Sequence, residues 1–405
     1  MFTVSGNTAK NQGFKANYGD FLRDYRLIMI IFLGILLRII LLFYGADYKG
    51  DAEIYSRRGR DVLEGFTPYK DYVETKPPLW IASVVAWFYI TTFKSFTSVK
   101  ILIVIADISF LIGALHLLNK RKSKEKYNYL TFSIMIALNP LIIANSAYFG
   151  RYDIIPATFA FLAFFFFRYK KEKLSALMLG IATMYKYLAA AFLIPLIIAL
   201  KTNFKRIEYL LIFSSICVLI LIPVYFIASI DRFIEDTVYY FSERSARGLC
   251  LWKLASRLEI IDTSTSNIPF IIQGISLVII TIFMISKRNV FNDDEAWKEF
   301  FIIVFYVTYL LSNKIVLLQY FIFYLPFLAL ITSRNEINFE TKQIVYLLNF
   351  IIFLSLILKN EYIDNTLFLI LGMIIVYAGT IIPLILIYKL LIKTKFYQTE
   401  KAGNV

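Results

Sequence analysis

Apolar runs of roughly twenty residues recur between residues 27 and 388, and short clusters of Lys and Arg separate them. As a helix, a run of that length rises about 30 Å, the thickness of a bilayer's hydrocarbon core. Hydrophobic residues make up 59% of the 405 and charged ones 18%, a balance that excludes an ordinary soluble domain. The net charge of +14 would suit nucleic acid if it lay on one face. It is instead divided among the clusters, as in cytoplasmic loops, so no nucleic-acid partner is expected. The chain reads as an all-α polytopic membrane protein.

Two cysteines, Cys217 in an apolar run and Cys250 in a polar loop, make neither a disulfide framework nor a metal-ligand spacing. The first 26 residues show no short apolar core with a small-residue cleavage site, so the first span is expected to act as an uncleaved signal. That span is 27–45, and its Arg38 needs the bundle interior or a route to the interface. The basic tail 1–26 then stays cytoplasmic, which puts Asp47 onward outside.

Residues 79–93 decide the rest of the topology. They are apolar but number only 15 and follow Pro77-Pro78. If they crossed, the basic clusters at 120–126 and 168–173 would face outward; if they lie along the outer interface, both fall inside. The second arrangement predicts spans at 101–119, 127–145, 153–168, a short pair 174–185 and 187–200, 207–230, 268–286, 299–312, 315–332, 343–358 and 366–388. About twelve transmembrane helices result, with both ends cytoplasmic and two large external loops carrying short interfacial helices. The expected divisions are a tail 1–26, a catalytic membrane module 27–230 that includes the external loop 46–100, a second external loop 231–267, C-terminal membrane helices 268–388 and a tail 389–405.

Candidate chemistry gathers in the predicted external segments. Asp51 opens a helix-like stretch just past the first span; at the mouth of an apolar cavity it would serve as a general base, and as a plain helix start it would be a cap. Arg151 and Asp153 stand together at the start of a span, able to hold an anionic headgroup and a sugar or simply to pair. Lys186 sits between two half-length helices at membrane depth, where an ammonium requires an anion or water. Arg244 and Arg247 are spaced i, i+3, so on a helix both guanidiniums would face one way and could grip phosphate oxygens. Tyr239, Tyr240 and Trp252 read as an interfacial aromatic belt. Asn313, Lys314, Gln319 and Tyr320 bracket a tight turn able to contact a sugar or a phosphate. The lone histidine, His116, and Asp107 in the same span read as structural.

Five patches appear in the order of a known group: GDAEIY at 50–55 with EGFTPYKDY at 64–72 and KPPL at 76–79; LNPLIIANSAYFGRYD at 138–153; GIATMYKYLAAAFLIP at 180–195; ERSARGLCLW at 243–252; SNKIVLLQYFIFYLP at 312–326. The chain resembles the polyprenyl-phosphate-sugar-dependent glycosyltransferases of the GT-C superfamily. It is most similar to the first mannosyltransferase of glycosylphosphatidylinositol assembly and its prokaryotic relatives. The resemblance implies a GT-C-like helical bundle with its active site on the extracytoplasmic or lumenal side. It implies Asp51 as the catalytic acidic residue of the first external loop, and Lys186, Arg244 and Arg247 on the lipid-linked phosphate. Arg151, Asp153, Asn313, Lys314, Gln319 and Tyr320 are the expected substrate contacts. The expected partners are a polyprenyl-phosphate sugar donor, a lipid- or glycan-linked acceptor and membrane lipids.

Two departures stand out. Lys49 occupies the position two before Asp51 where the family often has a second acid, so no metal ligand set is expected, no cofactor is implied, and divalent-metal dependence is left open. Tyr185 replaces the histidine beside the family's lysine. The resulting expectation is an inverting hexosyltransferase, with mannose as the sugar. The alternatives are glucose or arabinose from the same kind of carrier, or a lipid-linked oligosaccharide flippase.

Overall fold

The computed structural model describes residues 24–45, 48, 50–118, 127–239, 244–291, 293–358 and 366–402. Asp47, Lys49, Tyr240 and the basic cluster 120–126 lie outside the described residues, as does the side chain of Tyr239. The fold is an all-α bundle, and its helices begin and end where the sequence places their signals. Helix α1 (Tyr25–Tyr44) starts at Asp24, whose carboxylate accepts from the Arg26 N–H, and α2 (Gly50–Leu63) carries Asp51 in its first turn. Pro77 and Pro78 open α3 (Pro78–Thr91), which is 14 residues long and so rises only about 21 Å, too little to cross a bilayer.

Next come α4 (Phe96–Leu118), α5 (Tyr129–Ala137), α6 (Pro140–Ile143) with a π turn at Ala144–Tyr148, α7 (Ile154–Arg168) and α8 (Glu172–Tyr185). A 3-10 turn at Tyr187–Phe192 leads into α9 (Leu193–Ala199), then α10 (Asn203–Ile227) and α11 (Ile230–Ile234). Strand β1 (Arg247–Gly248), α12 (Leu251–Arg257), α13 (Ile268–Ser286) and α14 (Asp294–Ser312) follow. Strand β2 (Ile315–Val316), a 3-10 turn at Leu318–Phe323, α15 (Leu325–Thr332), α16 (Phe339–Leu358) and α17 (Thr366–Ala402) complete the chain.

Among the described residues, α1, α4, α10, α13 and residues 366–392 of α17 are each long and apolar enough to cross a membrane. The pair α5 and 140–148, bent by 40°, makes a sixth such segment. This is an integral membrane protein. Several other expected spans are not single helices: 187–200 is a 3-10 turn followed by α9, and 315–332 is a short strand, a 3-10 turn and α15. Such irregular backbone survives at membrane depth only where protein or a water-filled cavity surrounds it. These breaks border the cavity described below.

Two polar knots hold the helices at fixed depths. Arg38 on α1 meets Asp107 on α4 through Nε at 2.7 Å and Nη2 at 3.1 Å, and its Nη1 donates to the carbonyls of Gly34 at 2.9 Å and Ala137 at 2.7 Å. Ser146 Oγ donates to the same Asp107 carboxylate at 2.6 Å. Arg38 and Asp107 are fully buried, so Arg38 takes the interior rather than the route to the interface, and Asp107 is structural as expected. The second knot centres on Arg334, which binds Asp293 at 3.0 Å, Glu299 at 3.2 Å and Glu336 at 2.8 Å, while Tyr127 donates to Glu299. It ties the α14–α15 region to the start of α5.

Candidate active site

A cavity of about 730 Å³ opens beside the first turn of α2. Among the described residues, Asp51, Lys76, Lys186, Arg244 and Lys314 are its charged lining residues, four cations around one carboxylate. Asn313, Gln319 and Tyr320 line it as well. Its floor is aromatic: Tyr152 stacks on Trp80 with ring centroids 4.3 Å apart, and Tyr55 packs edge-on to both. Among the described residues the buried Tyr152 hydroxyl has no hydrogen-bond partner, the kind of polar atom that a bound substrate satisfies.

Two ion pairs set the charges. Arg151 Nε donates to Asp51 Oδ2 at 2.8 Å, and Lys186 donates to Asp153, which is almost wholly buried. Arg151 and Asp153 therefore do not pair with each other, and neither lines the cavity; each steers a lining residue of opposite charge. Burial opposes the charge on Arg151, but Asp51 and then Asp153 outweigh it, so its pKa stands above the ordinary value. Asp51 does not act as a plain cap: its carboxylate reaches across to another segment and keeps about a third of its surface open to the cavity. Lys186 is likewise not a solitary lysine awaiting an anion. It occupies an extended residue between α8 and the 3-10 turn, with the Tyr320 ring 5.0 Å away.

The cavity wall is built by stitching distant loops together. Asp236 in the turn after α11 accepts from the Glu74 N–H at 2.9 Å, Arg232 donates to the Lys70 carbonyl at 3.0 Å, and Tyr69 meets Phe233 edge-on. Burial pushes the Glu74 carboxyl above its ordinary range, partly offset by Lys76 and Arg58. On the other side β1 pairs in parallel with β2, Arg247 opposite Ile315 and Gly248 opposite Val316. Gly248 has φ +87, and a Cβ there would fall 1.7 Å from the Val316 carbonyl oxygen, so no other residue fits this pairing.

That pairing corrects one expectation. Residues 244–248 run extended, so Arg244 and Arg247 do not share a helix face: Arg244 lines the cavity, whereas Arg247 is exposed outside it. Trp252 is a second correction. It is buried and donates to the Ser312 carbonyl at 2.8 Å, anchoring α12 rather than joining an interfacial belt. Tyr185, at the family's histidine position, shares a hydrogen bond of 2.8 Å with Ser83 of α3.

Lys76 and Gln273 are among the lining residues that escaped the sequence reading. Lys76 stands in the KPPL patch, and its position beside the proline stop was the available signal. Gln273 is a lone amide in the apolar α13, which by the cost of polar groups in a span marks a site; it donates to the Tyr309 carbonyl at 2.9 Å. Among the described residues no three His, Cys, Asp or Glu side chains come together to hold a metal.

No curated protein matches this chain in sequence. In overall course it is similar to ArnT from Cupriavidus metallidurans bound to undecaprenyl phosphate, at 11% identity over 89% of this chain and 77% of that one, with a TM-score of 0.49. The apo state of the same protein aligns at 12% identity over 90% and 77%, with a TM-score of 0.48. The family model of glycosyltransferase family 87 matches residues 77–313, more than half of the chain and most of the cavity wall. The chain belongs to glycosyltransferase family 87.

Proposed function

We propose that this protein transfers a hexose, mannose being the first candidate, from a polyprenyl phosphate to the hydroxyl of a lipid- or glycan-linked acceptor on the extracytoplasmic side, with inversion. The observation that carries the reading is the charge of the cavity, four cations facing one carboxylate among the described residues. A lipid-linked phosphate matches the cations, and the single carboxylate matches the proton of the acceptor. Asp51, held in place through one oxygen by Arg151, takes that proton. The freed acceptor oxygen bonds to the anomeric carbon as the bond from that carbon to the phosphate oxygen breaks. The electron pair leaves on the polyprenyl phosphate, where Lys186, Arg244 and Lys76 offset the charge that develops. Lys314 flanks the turn that carries Asn313, and burial lowers its ammonium from the ordinary value. Asn313, Gln319 and Gln273 supply amide groups suited to sugar hydroxyls.

Purified protein given labelled polyprenyl-phosphate-mannose and a panel of lipid and glycan acceptors tests the reading. Transfer to an acceptor, persisting in chelator, is expected. Neither transfer nor donor hydrolysis in folded protein would turn the reading toward a flippase. Transfer from a glucose or arabinose donor alone would replace the sugar and leave the chemistry.

A further inference from the structure

Lys100 lies in the second turn of α4 and is fully buried, yet no carboxylate pairs with it among the described residues. Its three ammonium N–H groups are all used on main-chain carbonyls, Gly45 at 2.7 Å, Tyr48 at 2.6 Å and Tyr148 at 2.9 Å. Those carbonyls belong to two segments far apart in sequence. Gly45 and Tyr48 lead into Asp51, and Tyr148 leads into Arg151. The stem of the same side chain fills the gap between the segments: a Cβ on Gly150 would meet Lys100 Cγ at 2.9 Å, Lys100 Cε at 3.1 Å and Ala52 Cβ at 2.7 Å. The Tyr48 and Tyr148 rings stack 5.1 Å apart beside this junction. An ammonium can be buried without an anion only when every N–H finds an acceptor, and a purely adhesive residue at this place would more cheaply be apolar.

We propose that Lys100 is a positioning residue, which fixes Asp51 and Arg151 against each other by holding the carbonyls three residues before each. This rests on the transferase reading for its consequence but not for its geometry. Held at both approaches, the Asp51 carboxylate keeps one oxygen on Arg151 and presents the rest to the cavity. Released, the two segments move independently, and a misplacement of about 1 Å at a reacting group costs on the order of 100-fold in rate. Arg244 and Lys76 reach the cavity from other segments, and Lys186 meets this junction only through Asp153, so donor binding depends on it less than the Asp51 carboxylate does.

Two measurements separate positioning from simple support. Lys100→Met should lower the turnover of transfer on the order of 100-fold with the donor KM within about twofold, and it should cost little more in an Asp51→Asn background, because both changes remove the same function. Equal losses in turnover and donor affinity, or losses that add with Asp51→Asn, would overturn the proposal. The second measurement needs no activity. With Cys217→Ser and Cys250→Ser as background, Asp51→Cys and Arg151→Cys are bridged by a short bis-methanethiosulfonate, and bridging should slow about tenfold or more when Lys100→Met is added. An unchanged rate refutes the role of Lys100 even if the wild type transfers nothing, a result that would count against the transferase reading alone. If Lys100→Met is not recovered folded, Gly150→Ala decides: its methyl pushes the segments apart with the ammonium intact and should reproduce the turnover-selective loss, while normal turnover in it would sink the idea.

Discussion

Arg38 meets Asp107 at 2.7 Å in the middle of the bundle, and Arg151 meets Asp51 at 2.8 Å at its cavity. The chemistry of the two pairs is the same, but their surroundings differ. Around Arg38 the guanidinium also reaches the carbonyls of Gly34, Ile136 and Ala137, Ser146 supplies a further donor to Asp107, and neither side chain has any exposed surface. That pair is complete and can only hold helices together. Around Asp51 about a third of the side chain is open, and Lys76, Lys186 and Arg244 border the same space. Under the proposed function, an Arg–Asp pair becomes a reactive device because the structure leaves one member with capacity to spare and a cavity in which to use it.

The largest effect tests this contrast directly. Asp51→Asn keeps the shape and removes the base, so transfer should fall about 10²- to 10⁴-fold with an unchanged melting curve. Near-normal turnover would take Asp51 out of the reaction. At the other pair the outcomes should reverse. Asp107→Asn leaves a buried guanidinium short of its counter-charge and should cost about 3–5 kcal/mol of stability in detergent unfolding. The double change Arg38→Met with Asp107→Leu should recover most of that loss, since a complete buried pair often exchanges for apolar groups at little net cost. If the double variant is no more stable than the single one, the knot does more than pin helices.

A smaller effect sharpens the comparison at the second ion pair of the site. Lys186→Met alone strands the buried Asp153, so the informative variant combines it with Asp153→Asn. Its donor Kd should rise by about 30-fold, close to 2 kcal/mol, with stability near the wild type. An unchanged Kd would confine Lys186 to pairing with Asp153. The smallest effect belongs to the loop seam. Glu74 has its folded pKa raised by burial, so the folded state holds that proton more tightly than the unfolded chain does. Its contribution is complete below the ordinary glutamate range and is lost as pH rises through the raised value. Melting between pH 4 and 7 should therefore show a decline in the wild type that Glu74→Gln lacks; parallel curves would show the carboxyl to be fully compensated by Lys76 and Arg58.

Much of this was legible in the chain itself. Apolar length fixed the membrane class, because roughly twenty apolar residues have no other stable environment. The Pro77-Pro78 stop and the count of 15 residues marked α3 as too short to cross, and the structure gives it 14. The half-length segments around Lys186 announced a break, because a cation at depth requires company. Asp51, Lys186, Arg244, Asn313, Lys314, Gln319 and Tyr320 do line one cavity, although they come from four patches spread over 51–320.

What the sequence could not settle was pairing. Arg151 and Asp153 are two residues apart, and local spacing left open whether they pair or each contact substrate; the fold sends one to Asp51 and the other to Lys186. Arg244 and Arg247 have helical spacing, yet Gly248 and the Val316 backbone make that stretch a strand. Lys100 reads as one basic residue near a helix start, and nothing local reveals three carbonyls converging on it. Apolar burial and helix length are properties of a segment and can be read from it. Which charge meets which depends on segments brought together from 33 to 100 residues away, and only the tertiary structure decides that.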